Sequence, residues 1–213
     1  MRHKLASLLL LLAAGAIAAG LLSLSGASPV RADGPNAAAA ENPWPMAGAN
    51  PQRTSWTPEE VRGRLKPLWY KPFEPYISQK VQIIAANNTL YIATARGLYA
   101  LDAATGAEKW VYPTTLPLGH SPTVTNGVVY VGGFDRKLHA IDAATGAGLW
   151  TFEADAGFET NPLVVGDKVY MGNRDGYFYA IYAEGSPNAG QLAWKYPTGG
   201  PVLFSAAYSN GVV

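Results

Sequence analysis

"LYALDAATGAEKW" at residues 98–110 and "LHAIDAATGAGLW" at residues 138–150 are near copies lying forty residues apart. Working outward from them, Ala100, Ala140 and Ala180 recur at intervals of forty. Tyr91, Tyr130 and Tyr170 are spaced by 39 and 40, and Trp110, Trp150 and Trp194 by 40 and 44. The irregularities are local. One residue is missing near "TARG" at 94–97, and four are added within "AEGSPNAGQLAW" at 183–194. Length changes confined to turns are what a repeated structural unit predicts.

Each unit divides into four short strands. In the second copy these are "PTVT" (122–125), "VVYVGG" (128–133), "KLHAID" (137–142) and "GLWTFEA" (148–154), with turns at 125–127 and 134–137. In the third copy "VGD" and "NRDG" hold the turn positions, and Asp175-Gly176 is a hairpin signal. Four antiparallel strands per forty residues, repeated, predict an all-β chain of β-propeller blades.

The "DAATG" turn has a local chemistry. Asp102 and Asp142 can accept from backbone N–H groups two and three residues on, Thr105 and Thr145 can close the same turn, and Gly106 and Gly146 supply positive φ. The tryptophan four residues later then falls at a fixed place on the outer strand, where its flat ring can wedge between blades. The third copy has Tyr182 in place of the aspartate and a longer loop, so its turn is expected to be built differently.

The pattern Ala-x-Asp-x-x-Thr-Gly-x-x-x-Trp resembles the tryptophan-docking repeat of the PQQ-like (pyrroloquinoline quinone) propeller family. Ala100, Asp102, Thr105, Gly106 and Trp110 match it, as do Ala140, Asp142, Thr145, Gly146 and Trp150; Ala180 and Trp194 carry it in the third copy. The resemblance covers residues 67–213, and "WPMAGANPQRT" at 44–54 looks like the lead-in segment of such proteins. It implies either a quinoprotein dehydrogenase using pyrroloquinoline quinone with calcium, or a cofactor-free propeller such as those that assist outer-membrane assembly.

About three blades and the start of a fourth are visible. Trp69 in "PLWYKPF" behaves like an outer-strand tryptophan without its own first three strands, and "SNGVV" at 209–213 matches the turn and strand start "TNGVV" at 125–129. Residues 67–213 are therefore expected to be part of a seven- or eight-bladed ring, truncated at the C-terminus, whose last blade Trp69 would complete.

Composition agrees with a β-rich, turn-rich exported protein. Charged residues make up 15% of 213, against 23 glycines, 16 prolines, six tryptophans and twelve tyrosines. The absence of cysteine excludes disulfides, thiolate metal sites and a lipidated N-terminal cysteine. "MRHK" followed by the uncharged run 5–24 and Val30-Arg31-Ala32 reads as a signal peptide over 1–32, with an uncleaved anchor helix as the alternative. Removing it takes away Arg2, Lys4 and Arg31 and no acid, leaving 13 basic and 15 acidic residues and a net charge of −2. Nucleic-acid binding is not expected, and the membrane is met only through the N-terminal segment. Residues 33–66 read as a linker and lead-in, with a short helical turn at "TPEE" (57–60) capped by Thr57.

Candidate chemistry lies where the first strand of each blade begins. Lys80, His120, Glu159 and Thr160 are placed there by the alignment, and the first three are expected around one channel mouth. His139, aligned with Tyr99 and Tyr179, reads as a packing or surface residue, while Asp135, Asn173 and Asp175 belong to hairpin turns. No carboxylate and amide cluster suited to calcium is apparent, and no catalytic residue, metal or cofactor is assigned to this stretch. The reading favours a non-catalytic binding or assembly scaffold at the cell envelope that meets protein partners. A quinoprotein dehydrogenase oxidising alcohols or sugars, and a membrane-tethered sensor propeller, are the alternatives.

Overall fold

The computed structural model describes residues 43–60 and 62–213; the signal or anchor reading of residues 1–32 lies outside them. Among the described residues, twelve strands form three four-stranded antiparallel sheets, each a meander in chain order. The first blade is β1 (Ile84–Ala86), β2 (Thr89–Thr94), β3 (Gly97–Asp102) and β4 (Glu108–Pro113). The second is β5 (Thr123–Thr125), β6 (Val128–Gly132), β7 (Lys137–Asp142) and β8 (Gly148–Glu153). The third is β9 (Leu163–Val165), β10 (Lys168–Gly172), β11 (Tyr177–Tyr182) and β12 (Leu192–Pro197).

The forty-residue spacings have one geometric cause. Tyr91 stands opposite Ala100, which stands opposite Trp110; Tyr130–Ala140–Trp150 and Tyr170–Ala180–Trp194 repeat the row. A methyl in the middle lets two large rings meet over it, with centroids 5.8, 5.8 and 5.9 Å apart and tilts of 52°, 49° and 52°. A register shift follows the alanine in every copy.

Inner strands of the second blade are buried on both faces because that blade is sandwiched between the first and the third. Val129, Val131 and Ile141 of the second blade pack with Ile84, Tyr91, Leu98 and Trp110 of the first. Val128, Tyr130, Leu138 and Ala140, on the opposite face, pack with Val169, Met171, Tyr179 and Ile181 of the third. This period-two division gives the second blade two apolar faces, one for each neighbour.

The turns connect the blades as well as the strands. Asp102 Oδ1 accepts from the N–H groups of Ala104 and Thr105 and from the Thr105 hydroxyl, and Asp142 does the same with Ala144 and Thr145. Those hydrogen bonds hold both carboxyls below the ordinary aspartate range. The ring of the preceding blade's tryptophan lies on each turn. Trp110 Nε1 donates to Ala143 O at 3.1 Å, and Trp69 Nε1 donates to Ala103 O at 3.0 Å. In the third blade Gly190, at φ +78°, takes the place of Gly106 and Gly146 beneath Trp150, whose Nε1 donates to Glu184 Oε2 at 2.9 Å.

Two features differ from the sequence reading. No helical turn forms at 57–60: Thr57 Oγ1 accepts from the N–H of Glu59, only two residues on, and Glu60 pairs with Arg62 instead of reaching back to a cap. Residues 67–76 are not paired as a strand, although Trp69 docks as outer-strand tryptophans do. Their exposure alternates, with Trp69, Lys71, Phe73 and Pro75 sheltered on the first blade and Leu68, Tyr70, Pro72, Glu74 and Tyr76 turned outward.

Candidate binding site at the inner strands

The lead-in 44–54 runs across the inner strands of successive blades. Trp44 forms a β-bridge with Ala85 of β1, and Pro45 O accepts from Val124 N of β5 at 2.7 Å. Met46 and Ala47 are buried. Arg53 extends the stitch: Nε donates to Ala206 O at 2.5 Å, Nη1 to Ala47 O at 2.6 Å, and Nη2 to Asn161 O at 3.3 Å. Burial lowers the affinity of this guanidinium for its proton, yet it stays charged at any physiological pH.

A second stitch links blade to blade. Gly48 N donates to Gln82 Oε1 (3.1 Å), Gln82 N to Ser121 Oγ (2.7 Å), Ser121 N to Asn161 Oδ1 (2.8 Å), and Asn161 N to Ser205 Oγ (2.8 Å). The four acceptors occupy equivalent places in successive repeats, one residue after Val81, His120, Thr160 and Phe204. Each side chain satisfies the backbone donor of the previous unit, so the belt supplies the polar pairing that short inner strands lack.

The candidate residues before the first strands have separate fates. Lys80 is exposed in the turn before β1. His120 is 6% exposed, and burial, reinforced by the Lys80 charge and opposed by Glu159, favours its neutral form. Glu159 is also buried, and its Oε1 accepts from Arg174 Nη1 at 2.8 Å. Thr160 faces inward and donates its hydroxyl to Gly172 O at 3.0 Å. Lys80 and Glu159 thus act on His120 in opposite directions, while Thr160 holds its own blade together. Arg174 is the member that sequence reasoning missed; it belongs to the "NRDG" turn, fifteen residues from Glu159.

The hairpin residues are engaged in their own turns. Asp135 accepts from Lys137 N, Asn173 from Asp175 N, and Asp175 from Tyr177 N. Among the described residues no three histidine, aspartate or glutamate side chains converge as metal ligands. The donor chemistry of these residues, with the Glu159 carboxylate already held by Arg174, does not fit a calcium-bound quinone, which needs several oxygen ligands.

Meanders of this register, docked by tryptophans onto their neighbours, define the chain as a set of β-propeller blades. The family model PQQ_2, described as outer membrane protein assembly factor BamB, matches residues 62–202, and the chain belongs to that PQQ-like propeller family. Quinoprotein glucose dehydrogenase of Escherichia coli (strain K12) is 33% identical over 109 residues, covering 45% of this chain and 13% of that protein. Quinohemoprotein alcohol dehydrogenase ADHIIG of Pseudomonas putida HK5 superposes with a TM-score of 0.59 at 24% identity, over 73% of this chain and 26% of the other. The corresponding enzyme of Comamonas testosteroni gives 0.57 at 21% identity, over 76% and 28%. The chain thus spans about an eighth of the curated relative and about a quarter of these two structures, and the two likenesses show the fold.

Proposed function

We propose that these blades belong to an exported, non-catalytic propeller that acts as a binding or assembly scaffold at the cell envelope. The observation that supports this most is the state of the inner strands. Their polar side chains are engaged in the Gly48–Gln82–Ser121–Asn161–Ser205 belt, and Arg53 is engaged with backbone carbonyls. The mouth offers one cation, one imidazole and one arginine-held carboxylate, a set suited to polar contact with a partner. The family model's description as an assembly factor favours the same reading. The apolar outer face of β12, where Phe178, Trp194, Tyr196, Val202 and Phe204 line an open groove of about 750 Å³, leaves room for further protein to pack.

A quinone-dependent dehydrogenase is the second reading, favoured by the 33% identity with quinoprotein glucose dehydrogenase. Titrating the chain with pyrroloquinoline quinone and calcium by calorimetry, followed by dye-reduction assays with alcohols and sugars, separates the two. The scaffold reading expects no stoichiometric binding and no dye reduction. Saturable one-to-one binding with dye reduction would replace it by the dehydrogenase.

A further inference from the structure

The charges of the chain nearly balance in number, yet they are not evenly spread. Residues 62–71, "RGRLKPLWYK", carry Arg62, Arg64, Lys66 and Lys71 and no acid, while the blades over 81–213 hold seven basic and ten acidic residues. The same ten residues include Leu65, Leu68 and Tyr70, which are 78%, 75% and 86% exposed; of the other large apolar side chains described, only Phe204 stands as far out. A cationic stretch and an unshielded apolar one therefore coincide.

The stretch rests on a firm base. Trp69 lies on the turn of the first blade, its Nε1 donating to Ala103 O at 3.0 Å, and Phe73 packs edge-on against Tyr99 with centroids 5.4 Å apart. Lys71 Nζ, on the same side, lies 3.7 Å from Glu108 Oε2. Alternate side chains of an extended chain point to opposite sides, so Leu68 and Tyr70 are turned away from the blade. Arg62 pairs with Glu60, whereas Arg64 and Lys66 are exposed and pair with no acid among the described residues.

We propose that residues 62–70 form a membrane-surface contact, in which Leu65, Leu68 and Tyr70 enter the headgroup layer of an anionic bilayer and Arg64 and Lys66 meet its phosphates. Apolar side chains that stand out singly suit a fluid layer, which closes around each of them; a folded partner would need a packed, complementary surface. Tyrosine and leucine interleaved with arginine and lysine settle between water and acyl chains, with the phenol ring at headgroup level. Each unpaired cation raises the local partition onto an anionic leaflet about fivefold. The acid surplus of the blades is repelled by the same surface, so the contact also sets which way the molecule faces. It extends membrane contact beyond the N-terminal segment, and it is independent of whether the blades serve as a scaffold or an enzyme.

The chain has no cysteine, so one introduced thiol carries a unique label. Leu68→Cys and Leu149→Cys, each labelled with bimane, form a matched pair, because each leucine stands one residue before a docking tryptophan, Trp69 or Trp150. The labelled 213-residue chain is mixed with vesicles of brominated phosphatidylcholine, alone or with phosphatidylglycerol. The apolar run 5–24 can carry the whole chain to either vesicle, so bromine quenching of the label is read instead of co-sedimentation. The label at 68 is expected to be quenched on the phosphatidylglycerol vesicles and the label at 149 to be spared. Arg64→Gln with Lys66→Gln removes two exposed cations without breaking an ion pair, and is expected to weaken the contact at 68 about twenty-fivefold. Equal quenching at 68 and 149, equal quenching at 68 on both kinds of vesicle, or an unchanged contact in the double variant would overturn the proposal. So would an unquenched label at 68, which would leave the segment to an acidic protein surface.

Discussion

Gly146 sits at φ +77° with the Trp110 ring directly above it, so that a Cβ there would lie 2.7 Å from Trp110 Cδ2. Gly127, at the same φ of +77°, faces open space. The two positions separate the conformational demand for glycine from the steric one. Gly127→Ala is expected to lower stability by about 1–2 kcal/mol, the left-handed backbone penalty alone. Gly146→Ala should lower it further, because neither the ring nor the turn can move without breaking the Trp110–Ala143 hydrogen bond. Urea denaturation of the two variants side by side reads the difference. The aspartate and threonine of this turn were legible in the sequence because all their partners lie within three residues. Gly190 was missed because the third turn lacks the aspartate and threonine. Counting four residues back from Trp194, as Gly106 and Gly146 precede Trp110 and Trp150, would have found it.

At the scale of the strand, the Tyr–Ala–Trp row gives each blade one flat aromatic edge, and its worth depends on whether another blade covers it. Trp110 is 9% exposed beneath the second blade, whereas Trp194 is 43% exposed on the outer face of β12. Trp110→Ala is expected to lower stability by about 3–5 kcal/mol, the usual loss for a buried large ring. Trp194→Ala in the same 213-residue chain should lower it by well under half as much, and thermal unfolding of the pair checks this. A comparable loss for Trp194 would mean that the β12 face is covered in solution. The strands and their hairpin order were legible in the sequence because alternation and turn residues encode them locally. The suggested helical turn at 57–60 failed because the capping pattern is also compatible with a tight hydroxyl turn, and no apolar face follows it to be buried.

Across the whole molecule, the lead-in 44–54 does what no single blade can do, joining inner strands that have few hydrogen bonds to one another. Arg53 is its pin, since the carbonyl of Ala47 in the lead-in and those of Asn161 and Ala206 from distant repeats converge on one planar fork. Arg53→Lys keeps the charge but replaces the fork by a single ammonium, and is expected to lower stability by about 1.5–3 kcal/mol. It should also expose 44–54 to protease before the blades are cut, which limited proteolysis with mass mapping would show. Cleavage of wild type and variant at the same rate would mean that the β-bridge at Trp44 holds the segment unaided.

What the sequence determined by itself is the blade: its strands, its hairpins and the tryptophan that leaves it. These depend on backbone preferences and hydrogen bonds spanning a few residues, and the repetition wrote them more than once. Tertiary structure alone decided how the inner strands are joined and which groups meet at the joints. Gln82, Ser121, Asn161 and Ser205 share a role through three different kinds of side chain, because any well-placed side-chain oxygen satisfies a backbone N–H, and so no pattern marks them. Tyr112 and His139 are 27 residues apart, and Arg53 and Ala206 153 apart. Contacts of that kind arise only when separate blades are stacked, where burial removes water and makes each polar group depend on a partner from another repeat.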